Sequence, residues 1–253
     1  MGAQFCDDGE LGYERARTRF DPGAGLVLDE AYRLAHLPLV APGHPRVIAS
    51  REGSDYTMGR HARVFSLVLP VSAAELAVSD AYKTLERELR SAPFADKIAW
   101  NLLERRGAKL HATVCGSLGT GDPPTLGSEV RRELSRIGPI AVEVRGLFSG
   151  NVNVGRLYLR VYPERRDGNV LHRIQRALGR AETDLYLVGV YNFVDDLDPG
   201  QAAALAQILD VWWHRPLLRF ETDVLWLLGA TDDLVLDAAV VETIPLTGAV
   251  RAG

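Results

Sequence analysis

The order of strand-like and helix-like runs after residue 60 constrains this fold more than any other feature of the chain. Val64–Val71 is an apolar run of strand length. Ser72 followed by Glu75 is a capping-box signal for a helix reaching about Arg90. Pro93 opens a second helix, Phe94–Arg106, with Ile98 and Leu102 at i, i+4 spacing. A strand over Lys109–Cys115 and a loop over Gly119–Pro124 come next. The helix Glu129–Ile137 is stopped by Gly138-Pro139, and the strands Ile140–Phe148 and Leu157–Tyr162 follow it. Then come a helix (Val170–Gly179), a strand (Leu185–Phe193) and a helix (Pro199–Trp213). Two long strands, Leu217–Leu228 and Leu234–Leu246, read as a hairpin across Gly229–Asp233. This mixture, with consecutive strands that must run antiparallel, predicts an α+β domain.

The domain spans 62–253. Residues 1–61 are rich in turn signals such as Asp21-Pro22-Gly23 and Pro42-Gly43-His44-Pro45. They are too apolar for a solvated tail and too irregular for a domain, so they read as an arm packed on the rest, with a short helix near Leu28–His36. The net charge of -4 argues against duplex DNA as a partner. Two cysteines 109 positions apart make neither a disulfide framework nor a metal site, which suits a reducing compartment. No apolar run reaches 18 residues, and the first residues include acids where a signal peptide would be basic and then apolar. The expectation is a cytoplasmic protein with no membrane partner.

Lys109–Cys115 is the strand most suited to chemistry. Its alternation puts Leu110, Ala112 and Val114 on one face and His111, Thr113 and Cys115 on the other, with about 7 Å between successive residues of a face. An imidazole and a hydroxyl at that spacing reach one phosphate, the first as proton carrier and the second as donor. Cys115 reads as packing. On Leu157–Tyr162, Tyr158, Arg160 and Tyr162 share a face. Arg160 suits phosphate through its planar fork, unless this is simply a solvated strand face. His61, between Arg60 and Arg63, is a weaker candidate for substrate contact. His36, His44, His172 and His214 read as surface or structural residues. No histidine or carboxylate set has metal-ligand spacing, and Gly116–Gly121 lacks the lysine of a phosphate-binding P-loop.

His111-Ala112-Thr113, with the order of elements from 62 to 246, resembles the LigT-like or 2H phosphoesterase superfamily, nearest to its bacterial 2H phosphodiesterase-like domains of unknown function. The resemblance implies two lobes of mostly antiparallel sheet around a central cleft, with a second His-x-Thr strand facing the first. That strand would be 184–193, where Leu187 and Gly189 stand at the two motif positions and Tyr191 lies one step further along the same face. The implied activity is metal-independent and cofactor-free cleavage of a cyclic or 2'-5' phosphodiester of a nucleotide or RNA end. His111 and Thr113 would be catalytic, and Tyr158, Arg160 and Tyr191 would bind substrate. The alternative is an inactive relative that holds a phosphorylated small molecule or nucleotide. In either case His111 should charge below about pH 6.5 and bind an anion more tightly there.

Overall fold

The structure is a computed structural model, and it describes residues 3–247. Short helices α1 (Tyr13–Ala16), α2 (Glu30–Ala35) and α3 (Leu37–Val40) precede strand β1 (Arg60–Pro70). Then follow α4 (Ala73–Val78), α5 (Asp80–Ser91), α6 (Asn101–Arg106), β2 (His111–Thr120), α7 (Ser128–Ser135), β3 (Ile140–Ser149) and β4 (Arg156–Pro163). The chain continues through α8 (Val170–Ala177), β5 (Leu187–Asn192), α9 (Pro199–Trp212), β6 (Pro216–Thr222), β7 (Val224–Asp232) and β8 (Ala238–Pro245). Among the described residues these strands form two four-stranded antiparallel sheets, ordered β2-β1-β7-β8 and β5-β4-β3-β6. The class is α+β.

Three local expectations are revised. The predicted helix from Ser72 to Arg90 breaks at Ser79, whose hydroxyl accepts from Tyr82 N and so caps a second helix. The predicted helix Phe94–Arg106 is interrupted at Ile98, which is extended and bridges to Phe193. The predicted strand Leu217–Leu228 is two strands in different sheets. β6 pairs with β3 and β7 pairs with β1, the chain crossing between them at Asp223. The carbonyl of Asp223 accepts from Leu246 N, and the Thr222 hydroxyl donates to the Val224 carbonyl, so the crossing satisfies its own polar groups. β7 runs to Asp232 and β8 begins at Ala238, so the turn between them overlaps the expected Gly229–Asp233 only at Asp233.

One continuous apolar core joins both sheets. Helix α9 seals one side, with Ala202, Leu205, Leu209 and Trp212 buried at helical spacing. Each large side chain there stabilises the fold by roughly 1.5–3 kcal/mol. Its C-terminal end lies against β3 at Gly146, where a Cβ would come within 2.6 Å of the Trp212 carbonyl carbon, so only glycine fits. The N-terminal segment packs against this core through Tyr13, Leu26, Leu28 and Tyr32. Tyr13 donates to the Val161 carbonyl at 2.7 Å and Tyr32 to the Phe193 carbonyl at 2.7 Å, tying the segment to β4 and to the residue after β5.

The edge strand of each sheet, β2 in one and β5 in the other, lies beside its counterpart. Arg106, at the end of α6, is buried there. Its guanidinium donates to the carbonyls of Gly189 (3.3 Å) and Val190 (2.6 Å). On the other side, Gln175 of α8 donates to the Val114 carbonyl of β2 at 3.0 Å. A cleft opens along the line where the two edges meet.

Candidate active site

His111 is the first residue of β2, and Thr113 follows it on the same face. The ring Nδ1 lies 2.7 Å from the Lys109 carbonyl, which can only accept, so Nδ1 carries the proton and Nε2 keeps its lone pair. Thr113 is exposed, while Ala112 and Val114 are buried as alternation requires. Cys115 is buried too. The β1–β2 register slips between Leu67 and Val68, a bulge that turns Cys115 toward the core.

Across from His111 and Thr113 stand Leu187 and Gly189 of β5, with Arg156 and Tyr158 of β4, around a cavity of about 220 Å³. Tyr158 pairs with Gly189. The Arg156 guanidinium stacks on the Tyr158 ring, 5.1 Å from its centre. It donates to the Asp233 carbonyl at 3.0 Å and lies over Gly189, where a Cβ would come within 2.6 Å of Cζ. Its Nε is buried with no hydrogen-bond partner among the described residues. Lys109 and Arg106 complete a cationic wall.

This environment sets the charge of His111. Burial of the ring lowers its pKa to about 4, helped by the Arg156 and Arg106 cations and opposed by its bond to Lys109. The imidazole is therefore neutral at physiological pH, which revises the expectation that it charges below about pH 6.5. Burial, together with the Arg156 charge, also lowers Arg106, to about 9. Arg106 is buried and Arg156 half-buried, and the two cations repel each other, so an anion placed between them would relieve the site. Burial pushes the Tyr158 phenol up, so it keeps its proton.

A second cavity of about 250 Å³ shares His111, Thr113, Arg156, Asp233 and Val235 with the first, and is further lined by His36 and His61. Asp233 organises this end. Tyr56 donates to its carboxylate at 2.7 Å, His61 Nε2 lies 3.3 Å from it and His36 Nε2 lies 3.6 Å from it. Burial pushes the Asp233 carboxyl up, but His36, His61 and Tyr56 outweigh it and hold the group below the usual carboxylate range. The bond to Asp233 raises His61, whereas burial lowers His36. Val235, at φ 62, takes a backbone conformation that is costly for a β-branched residue, at the wall of both cavities.

Of the residues singled out from sequence, the structure brings His111, Thr113 and Tyr158 to one cleft and places Arg160 and Tyr191 elsewhere. Arg160 lies further along β4, wholly buried. It stacks on Trp213 at 3.7 Å, donates to the Trp213 carbonyl and pairs with Asp8. Its charge is spent on holding the N-terminal segment and the end of α9. Tyr191 is buried as well, hydrogen-bonded through its hydroxyl to that of Tyr82 at 2.8 Å and packed on Trp100. Neither lines the cleft. His36, read as a surface or structural residue of the arm, is wholly buried at the cleft wall.

The residues missed were Arg156, Arg106, His36 and Asp233. Arg156 has the two-residue spacing from Tyr158 that would have placed it on the same face, but it lies one residue before the apolar run by which the strand was recognised. No local signal joins His36 or Asp233 to His111. Among the described residues no group of three or more His, Cys, Asp or Glu side chains is arranged to hold a metal ion, and no helix is long and apolar enough to cross a membrane. Comparison with protein-family models and with curated proteins finds no match to this chain.

Proposed function

We propose that the cleft binds a phosphate ester, and that the chain is a LigT-like protein whose second motif has been given over to holding the anion rather than moving a proton. The observation that carries this reading is the Arg156 guanidinium seated over Gly189, where the resemblance calls for a second motif threonine. Arg156, Thr113 and Lys109 supply donors for a tetrahedral oxyanion, and a charge-assisted bond from such a fork is worth about 1.5–3 kcal/mol. Leu187, at the second histidine's position, can neither take nor give a proton. The two-lobed LigT-like architecture belongs to this proposal, and two antiparallel sheets meeting at β2 and β5 support it. The ligand class is a phosphorylated small molecule or nucleotide.

A second reading has its own observation. His111 is a neutral base with a free Nε2, and the protonated Tyr158 phenol lines the same cavity. This is the pair needed to deprotonate an attacking oxygen and protonate a leaving one, so slow cleavage of a cyclic phosphodiester is the alternative activity. One experiment separates the two. Calorimetry with sulfate and a nucleoside monophosphate is run beside turnover of a 2',3'-cyclic nucleotide in EDTA. Binding without turnover supports the first reading. Turnover that falls by at least about 10² in His111→Ala supports the second. The absence of both removes the site.

A further inference from the structure

We propose that the second half of the cleft, at His36, receives the hydroxyl-bearing part of the same ligand, so that the molecule bound is a phosphate ester of a polyol. This inference rests on the phosphate-ester reading above and adds what the ester must carry.

The two halves of the cleft are adjacent, sharing His111, Thr113, Arg156, Asp233 and Val235 in their walls, yet they differ in chemistry. The first presents Arg106, Lys109 and Arg156. The second presents His36, Ser66, Asn153 and the Asp233 carboxylate, which repels a second phosphate. Two groups there are already committed. His61 faces the Ala62 carbonyl with Nδ1 at 2.6 Å and Asp233 with Nε2 at 3.3 Å. Asp232 accepts from Leu236 N and Asp237 N in the turn after β7.

His36 is the exception. It is wholly buried, it lines the cavity, and among the described residues neither ring nitrogen has a hydrogen-bond partner. Buried polar groups in native proteins are almost always paired, so this one marks a missing partner. Its Nε2 faces the ionised Asp233 carboxylate at 3.6 Å, which favours the tautomer with the proton on Nε2. Nδ1 is then an acceptor. A phosphate ester oxygen cannot serve it, but an O–H donates to it and can accept in turn from Asn153 or Ser66. The space of about 250 Å³ is several times the roughly 30 Å³ share of one water molecule, so an organic group fills what a single bridging water would not.

Calorimetry on the wild-type chain at pH 7.5 tests this with inorganic phosphate, methyl phosphate, ethyl phosphate, glycerol 1-phosphate and ribose 5-phosphate. The expected result is similar affinity for the first three and at least tenfold tighter binding of one or both polyol phosphates. His36→Phe should bring the ratio of polyol phosphate to methyl phosphate affinity down to about one. Because a variant in a buried position can misfold, the wild-type comparison of ethyl phosphate with glycerol 1-phosphate stands alone as a test. If methyl phosphate binds and the polyol phosphates bind no tighter, the hydroxyl subsite is overturned while the anion site survives, and His36 is served by water. If none of the five binds, both readings fall.

Discussion

The guanidinium of Arg156 and the missing side chain of Gly189 occupy one space. A Cβ on residue 189 would come within 2.6 Å of Arg156 Cζ, far inside van der Waals contact. Restoring the second motif should therefore not restore chemistry. Leu187→His with Gly189→Thr, or Gly189→Ala alone, should expel the guanidinium and weaken sulfate binding by about 10- to 100-fold, the equivalent of one charge-assisted hydrogen bond. Titration calorimetry reads this directly. Affinity unchanged in Gly189→Ala would show that Arg156 does not hold the anion.

The two arginines of β4 should separate cleanly. Arg156→Met should weaken sulfate binding by a similar factor and leave the melting temperature nearly unmoved. Arg160→Met should leave sulfate affinity alone and destabilise the fold by about 2–4 kcal/mol, because it strands Asp8 and strips the face of Trp213. Denaturant unfolding beside calorimetry tests both. The reverse pattern would put Arg160, not Arg156, in the binding site.

Acid should destabilise the protein through His111. Its folded pKa, about 4, lies below the unfolded value near 6.5, so between these the unfolded state binds more protons. The associated stability is present above about pH 6.5 and is lost as pH falls through 4, at most about 3 kcal/mol. Burial of His36 acts in the same direction, whereas the raised His61 opposes both. Urea midpoints from pH 7 to 4 should fall further in the wild type than in His111→Gln. Parallel curves would mean that His111 is not held neutral.

Tyr191 should matter for stability alone. Tyr191→Phe leaves the Tyr82 hydroxyl without its partner at a buried position, a cost of about 1–3 kcal/mol. Sulfate affinity should be unchanged. A loss of binding with no loss of stability would return Tyr191 to the cleft.

Local periodicity and short-range signals determined a good deal. The alternation of β2 placed His111 and Thr113 on one face, and Leu187 and Gly189, which only the resemblance set opposite them, line the same cavity. The α+β class followed from the order of elements, because strand and helix periods are properties of a few neighbouring residues. Tertiary structure decided the rest. Whether 217–228 is one strand or two depends on β1 and β3, which claim its halves for different sheets. Alternation put Tyr158 and Arg160 on one strand face, yet it could not show that Asp8 and Trp213 cover Arg160 while Arg156 is left to face the cleft. The charge of His111 depends on burial and on cations from α6 and β4, and the His36–Asp233 contact joins opposite ends of the chain. Burial and long-range charge are sums over neighbours that only the folded chain brings together, so no window of sequence contains them.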